Sequence, residues 1–215
     1  MSPRTAAALR DQEGEPTLRE HLLATAERLV AERGAAGITV RDIARQAGVA
    51  AGVLYNHFAD KEELLAHALY AHVLSVEREA EEVPVAGTGT VEENLRAYLR
   101  RGIAVHTAVL PAFDGLFARP KVLERFADLP NPMAGGRGLH NALADYLRAE
   151  QRLGRVEAGA RPEAVATMLV GTCHELVFPP LPAVRPAVGA RRSAEVPAGL
   201  VDDIVATVLD GIRPR

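Results

Sequence analysis

Residues 39–58 read TVRDIARQAGVAAGVLYNHF, and two helices with a tight turn between them satisfy that string most simply. Ile43, Ala44 and Ala47 fall on one face of a short helix, Gly48 can take the positive φ of the turn, and Val49 is an apolar plug between the helices. Leu54 and Phe58, four apart, pin the second helix to that core. Ala51, Gly52, Val53, Tyr55, Asn56 and His57 are then left facing outward. A helix held by two anchors and offering small and hydrogen-bonding groups is suited to lie in a major groove of DNA.

The string opens on Thr39 with Asp42 three residues later, and the same start signal stands at Thr17 with Glu20, Asp60 with Glu63, and Thr90 with Glu93. In such a box the first side chain accepts a free backbone N–H and the acid reaches back to another. A first helix is predicted from Thr17 to Gly34, with Leu18, Leu22, Ala26, Leu29 and Val30 on one face. The helix opened by Asp60 can run to about Val83 before Pro84, roughly 35 Å at ~1.5 Å per residue. Further helices are expected at 90–107, 139–154, 162–178 and 199–213, with shorter pieces at 112–118 and 121–127. Nowhere does strand-like alternation persist, so the fold class is all-α. Residues 1–16 lack periodicity and read as a mobile tail.

The net charge of −3 supplies no global positive field, so any DNA contact must be a local patch. No apolar run approaches the ~18 residues of a membrane span and no signal sequence is visible in 1–17, which points to the cytoplasm. The single Cys173 excludes an internal disulfide. Cys173, His174 and Glu175 are consecutive and would point ~100° apart on a helix, so they cannot share one reacting atom. The seven histidines form no i,i+4 pair, Gly135-Gly136 lacks the lysine of a phosphate loop, and neither a metal nor a cofactor is expected. An enzyme is therefore disfavoured.

Residues 17–70 resemble the DNA-binding domain of the tetracycline-repressor (TetR) family. The string that carries the resemblance is TVRDIARQAGV at 39–49, GVLYNHF at 52–58 and DKEELL at 60–65. The resemblance implies a bacterial, all-α homodimer with a helix-turn-helix domain over 17–65 and a ligand-binding and dimerisation domain over 66–215. Such proteins usually repress transcription until a small molecule releases them from operator DNA. Matched position by position, Thr39, Tyr55, His57 and Lys61 correspond to phosphate contacts, and Ala51, Gly52, Val53 and Asn56 to groove-facing positions. Arg41 and Arg45 are plausible further contacts. The sequence departs from the pattern at Ala50, where Ser or Thr usually caps the recognition helix, and at Val53.

Within the second domain His106 continues the stripe of Leu95, Tyr98, Leu99 and Ile103. It is either a core histidine satisfied by a carbonyl or the polar group of a pocket walled by Phe113, Phe117, Phe126, Met168 and Cys173. The apolar stripes at 162–178 and 199–213 are the expected self-association surface. A DNA-binding activator or architectural protein with no effector stays open beside the effector-released repressor.

Overall fold

The computed structural model of the chain describes residues 17–113, 115–130, 138–177 and 196–214. The expected tail over 1–16 and much of the stretches 128–138 and 179–197 lie outside the described residues. Among those described there are eight α-helices and no strand: α1 (Leu18–Arg33), α2 (Val40–Ala47), α3 (Lys61–Glu79), α4 (Val91–Val109), α5 (Pro120–Ala127), α6 (Leu139–Arg152), α7 (Pro162–Val177) and α8 (Leu200–Ile212). Short 3₁₀ helices occupy Ala35–Gly37, Ala51–Asn56, Leu110–Phe113 and Leu116–Ala118. The chain is all-α, and among the described residues no helix is long and apolar enough to cross a membrane.

The helix starts obey the local rules. Thr17 accepts the Glu20 N–H while the Glu20 carboxylate takes the Thr17 N–H at 2.7 Å, and Thr39–Asp42 and Thr90–Glu93 form the same reciprocal pair. The fourth start differs: Asp60 accepts the Glu63 N–H at 2.7 Å, but Glu63 reaches past it to the Ala59 N–H at 2.6 Å. Each such cap is worth about 0.5–2 kcal/mol. α3 stops at Glu79, short of the expected Val83. Glu77, Glu79, Glu81 and Glu82 crowd negative charge where a helix dipole disfavours it.

Two compact units divide the chain: one runs to Arg78 and resumes over Val109–Asn131, the other comprises Glu79–Ala108 and Pro132–Arg215. That division departs from a boundary at residue 65. The core of the first unit gathers Leu22, Leu29, Ile38, Ile43, Leu54, Phe58, Leu64, Leu65 and Leu69, and then Ala112, Leu116 and Val122 from far along the chain. Fully burying one such large side chain stabilises by about 1.5–3 kcal/mol, so the late segment is an integral part of this core. Its docking needs Gly115, whose φ is +70° and whose Cβ, were there one, would lie 2.7 Å from the Ala36 Cβ.

The second unit packs α4, α6, α7 and α8 around Leu95, Leu99, Leu143, Leu147, Val165, Leu169, Val205 and Leu209. A polar network holds the loop before α4. Glu150, fully buried, accepts the Gly87 N–H at 3.2 Å and pairs with the Arg155 Nε at 3.2 Å. Arg155 also donates to the Gly89 carbonyl, and the Asn94 amide donates to the Thr88 carbonyl and the Tyr146 hydroxyl.

Replacing Gly115 by Ala should lower the unfolding free energy by about 1–3 kcal/mol, through a disfavoured backbone region and the clash with Ala36. Urea unfolding measures this, and an unchanged midpoint would mean that the 110–118 segment is not docked on residues 35–37.

Candidate nucleic-acid interface

The turn between the two short helices is built as its sequence demands. Gly48 caps α2 with φ 71° and ψ 26°, and its N–H and that of Val49 return to carbonyls of the last turn of α2. Ala50 offers no side chain to the following helix. That helix is a 3₁₀ segment of six residues, where an α-helical recognition element was expected. The tighter winding brings residues i and i+3 into register. Ala51 and Leu54 share the inward side, and Ala51, expected in the groove, packs against the core. Gly52 and Tyr55 share an exposed side, Tyr55 at 58% exposure, and Asn56 is exposed above the half-buried Val53. His57 is half-buried.

Around this segment Thr39, Arg41 and Arg45 are exposed. The Thr39 hydroxyl is already employed, accepting the Asp42 N–H and donating its proton to the Asp42 Oδ2 at 2.5 Å. A phosphate contact from Thr39 therefore competes with its capping role. Arg45 pairs with the other Asp42 oxygen at 2.8 Å with 72% of its side chain in solvent, an ion pair worth no more than about 1 kcal/mol and easily exchanged. Thr39 and Arg45 together hold the Asp42 carboxyl below the usual range, Thr39 first. Lys61 opens α3 half-buried, and its ammonium sits below the usual lysine range because of burial and then the charge of Arg119.

Three interactions here carry no sequence signal. His21 Nε2 lies 3.3 Å from the Ala47 carbonyl and ties α1 to the end of α2. The Arg19 guanidinium sits 4.8 Å above the ring of Phe58, the anchor of the recognition segment. Arg119 reaches the neighbourhood of Lys61 from the late segment of the first unit. No local spacing signals any of the three.

A profile described as bacterial regulatory proteins, tetR family, matches residues 22–68, which hold most of α1, the turn and the start of α3. Residues 22–68 are therefore similar to the tetR-family regulatory proteins. It is 53% identical over 47 residues to the transcriptional repressor KstR2 of Mycobacterium tuberculosis, 22% of this chain and 24% of that one. Over 83 residues it is 31% identical to the repressor NemR of Escherichia coli, covering 39% of this chain and 42% of NemR. The chain thus matches less than half the length of these curated relatives. A tetR-family regulator from Mesorhizobium loti MAFF303099 has the same fold over 92% of this chain and 97% of its own, with a TM-score of 0.65 at 21% identity.

The six residues expected to line a ligand pocket are not gathered in one core. Phe113 and Phe126 pack edge to face, 5.4 Å apart, against the core of the first unit. Periodicity marks them as apolar but cannot say which core takes them. The side chain of Phe117 lies outside the described residues. Met168 points outward at 56% exposure. His106 and Cys173 both belong to the second unit. His106 is half-buried, its Nδ1 2.6 Å from the Gly102 carbonyl of its own helix and its ring edge-on to His174 at 4.5 Å. Cys173 is 1% exposed beside Gly102 and Leu139, and burial pushes its thiol up to about 11. A cavity of 190 Å³ in the second unit is lined instead by Thr90, Val91, Arg155, Val156, Leu209 and Arg213, among others.

Cys173 should resist alkylation. The thiolate is the reactive form, and raising the thiol from 9.0 to about 11 leaves about 100-fold less of it at pH 8. Iodoacetamide should modify the native protein slowly at pH 8, faster as the pH rises toward 11, and at once in urea. Rapid native labelling at pH 8 would place Cys173 in an accessible pocket.

Proposed function

We propose that this chain is a transcriptional repressor that binds two-fold operator DNA as a homodimer and is released by a small, largely apolar molecule. The observation that carries the DNA reading is the turn at Gly48, followed by a segment anchored by Leu54 and Phe58 with Gly52, Tyr55 and Asn56 turned to solvent. Arg41 and Arg45 beside it and Lys61 at the start of α3 supply local positive charge on a chain whose net charge is −3. Asn56 offers the amide that reads adenine, and Val53 an apolar group for thymine methyls. Similarity to the repressors KstR2 and NemR supports the sign of the regulation.

Self-association is assigned to α7 and α8. Met168 is exposed, and Val201, Ile204 and Val208 are only partly covered within one chain. A symmetric dimer presents two recognition segments, which need half-sites about one helical turn, or a multiple of one, apart. An effector held in the second unit acts by preferring a spacing of the two DNA-reading heads that does not fit the operator. Moving the population from 99:1 to 1:99 requires a preference of about 5.5 kcal/mol. A second reading, a DNA-binding protein without an effector, is favoured by the 190 Å³ of the described cavity, below the ~300–1,000 Å³ of drug-sized pockets.

Lys61→Ala should weaken binding to all duplexes alike. It should also flatten the salt dependence of log K by about 0.9 for each phosphate that the variant no longer neutralises, or about 1.8 for a dimer. Asn56→Ala should instead relax preference at one position per half-site, by about 1–3 kcal/mol. Anisotropy titrations with the DNA flanking its own gene test both, and failure to bind any duplex would sink the DNA reading.

Effector and operator must oppose each other by the same factor, because linkage is reciprocal. Calorimetric titration of an apolar compound that binds the protein, with and without saturating operator, decides between the readings. Equal affinity in the two conditions would favour the effector-independent protein.

A further inference from the structure

The late segment of the first unit carries charge as well as apolar side chains. Arg119 lies between Leu116, 1% exposed, and Val122, fully buried, so its backbone is fixed on both sides by the core that holds the helix-turn-helix. Pro120 follows it and disfavours the α conformation, and Arg119 is observed at φ −133° and ψ 65° with its N–H on the Leu116 carbonyl at 2.8 Å. Further along, Arg125 makes an ion pair of 2.6 Å with Asp60, the residue that immediately precedes Lys61. That bridge holds α5 beside the start of α3, and it brings Arg119 into the electrostatic reach of Lys61.

Two cations brought together in a folded protein ordinarily have a carboxylate between them. Here three of the carboxylates at this corner have other partners. Asp60 is taken by Arg125 and the Glu63 N–H, Asp42 by Thr39 and Arg45, and Glu63 by the Ala59 N–H with His67 at 4.0 Å. Glu62 and Asp42 do act on Lys61, but burial and Arg119 outweigh them, and its ammonium is held below the usual lysine range. Neither Lys61 nor Arg119 makes a side-chain ion pair among the described residues. Lys61 also stands at the positive end of α3, where a helix dipole favours an anion over a cation.

We propose that Arg119 and Lys61 together hold one phosphate of the DNA backbone, so that the DNA-binding surface includes a residue from outside the helix-turn-helix. The inference rests on the DNA-binding reading above and adds a contact to it. A phosphodiester would give these two cations a shared anionic partner, and the planar guanidinium can take two of its oxygens while the ammonium acts as a point charge. The contact carries no base information, since phosphate contacts set register and orientation only.

The test uses the full chain and two fluorescein-labelled duplexes of equal length, one from the region flanking its own gene and one of scrambled sequence. Anisotropy titrations over a salt series compare the parent with Arg119→Gln and Arg119→Lys, thermal melting serving as the check on folding. Arg119→Gln should weaken both duplexes by the same factor and flatten the salt slope, by at most about 0.9 for the one phosphate shared with Lys61, or about 1.8 for a dimer, while Arg119→Lys keeps most of the slope. A parent that binds with Arg119→Gln indistinguishable from it in slope and affinity overturns the proposal and leaves the DNA reading standing. So does Arg119→Gln weakening both duplexes with no flattening of the salt slope, which would show that packing rather than charge is lost. A parent that binds neither duplex overturns both together.

Discussion

A six-residue 3₁₀ segment preceded by Ala50 has no means of holding itself in place, so the surface proposed to meet DNA depends on how deeply Leu54 and Phe58 are buried. Short 3₁₀ helices have poor hydrogen-bond geometry and are marginal alone. Leu54 at 2% and Phe58 at 3% exposure bind this one to the core, and Gly48 aims it by a left-handed turn that a residue with a Cβ enters only at a cost. Arg19 lies over the Phe58 ring and His21 on the Ala47 carbonyl, so α1 clamps the motif from both ends. The exposed groups, Gly52, Tyr55 and Asn56, inherit their positions from that burial.

The same core explains why the late segment 109–131 belongs with the first unit. Ala112, Leu116 and Val122 add apolar surface to a domain that is otherwise small, and small domains bury too little of their surface to be comfortably stable. The segment can approach only where Gly115 leaves room beside Ala36. Once there, Arg125 finds Asp60, and Arg119 is delivered to a corner already occupied by Lys61.

In the second unit the constraint is polar. Glu150 is fully buried, and a carboxylate in that position is costly unless it is paired. Arg155 and the Gly87 N–H supply the pairing, and with the amide of Asn94 they fix the loop ahead of α4. Burial likewise pushes the Tyr98 phenol up to about 12, so the rings of Tyr98 and Tyr146, 5.2 Å apart, are structural weight in this unit.

Local chemistry is enough to determine the helix starts, the left-handed Gly48, the all-α class and the anchors of the recognition segment, because each depends on residues within four positions of one another. The tetR resemblance is legible for the same reason, its residues all lying between 39 and 65. Periodicity shows that a helix has an apolar face without showing which face covers it. That is why Phe113 and Phe126 read as walls of a ligand pocket and yet belong to the core of the helix-turn-helix unit, and why Met168 reads as inward and points out. The 3₁₀ winding of 51–56, the inward turn of Ala51, the buried Glu150 and the electrostatic influence of Arg119 on Lys61 are products of tertiary packing. They join residues whose separation along the chain carries no periodic signal, and only the folded core brings them together.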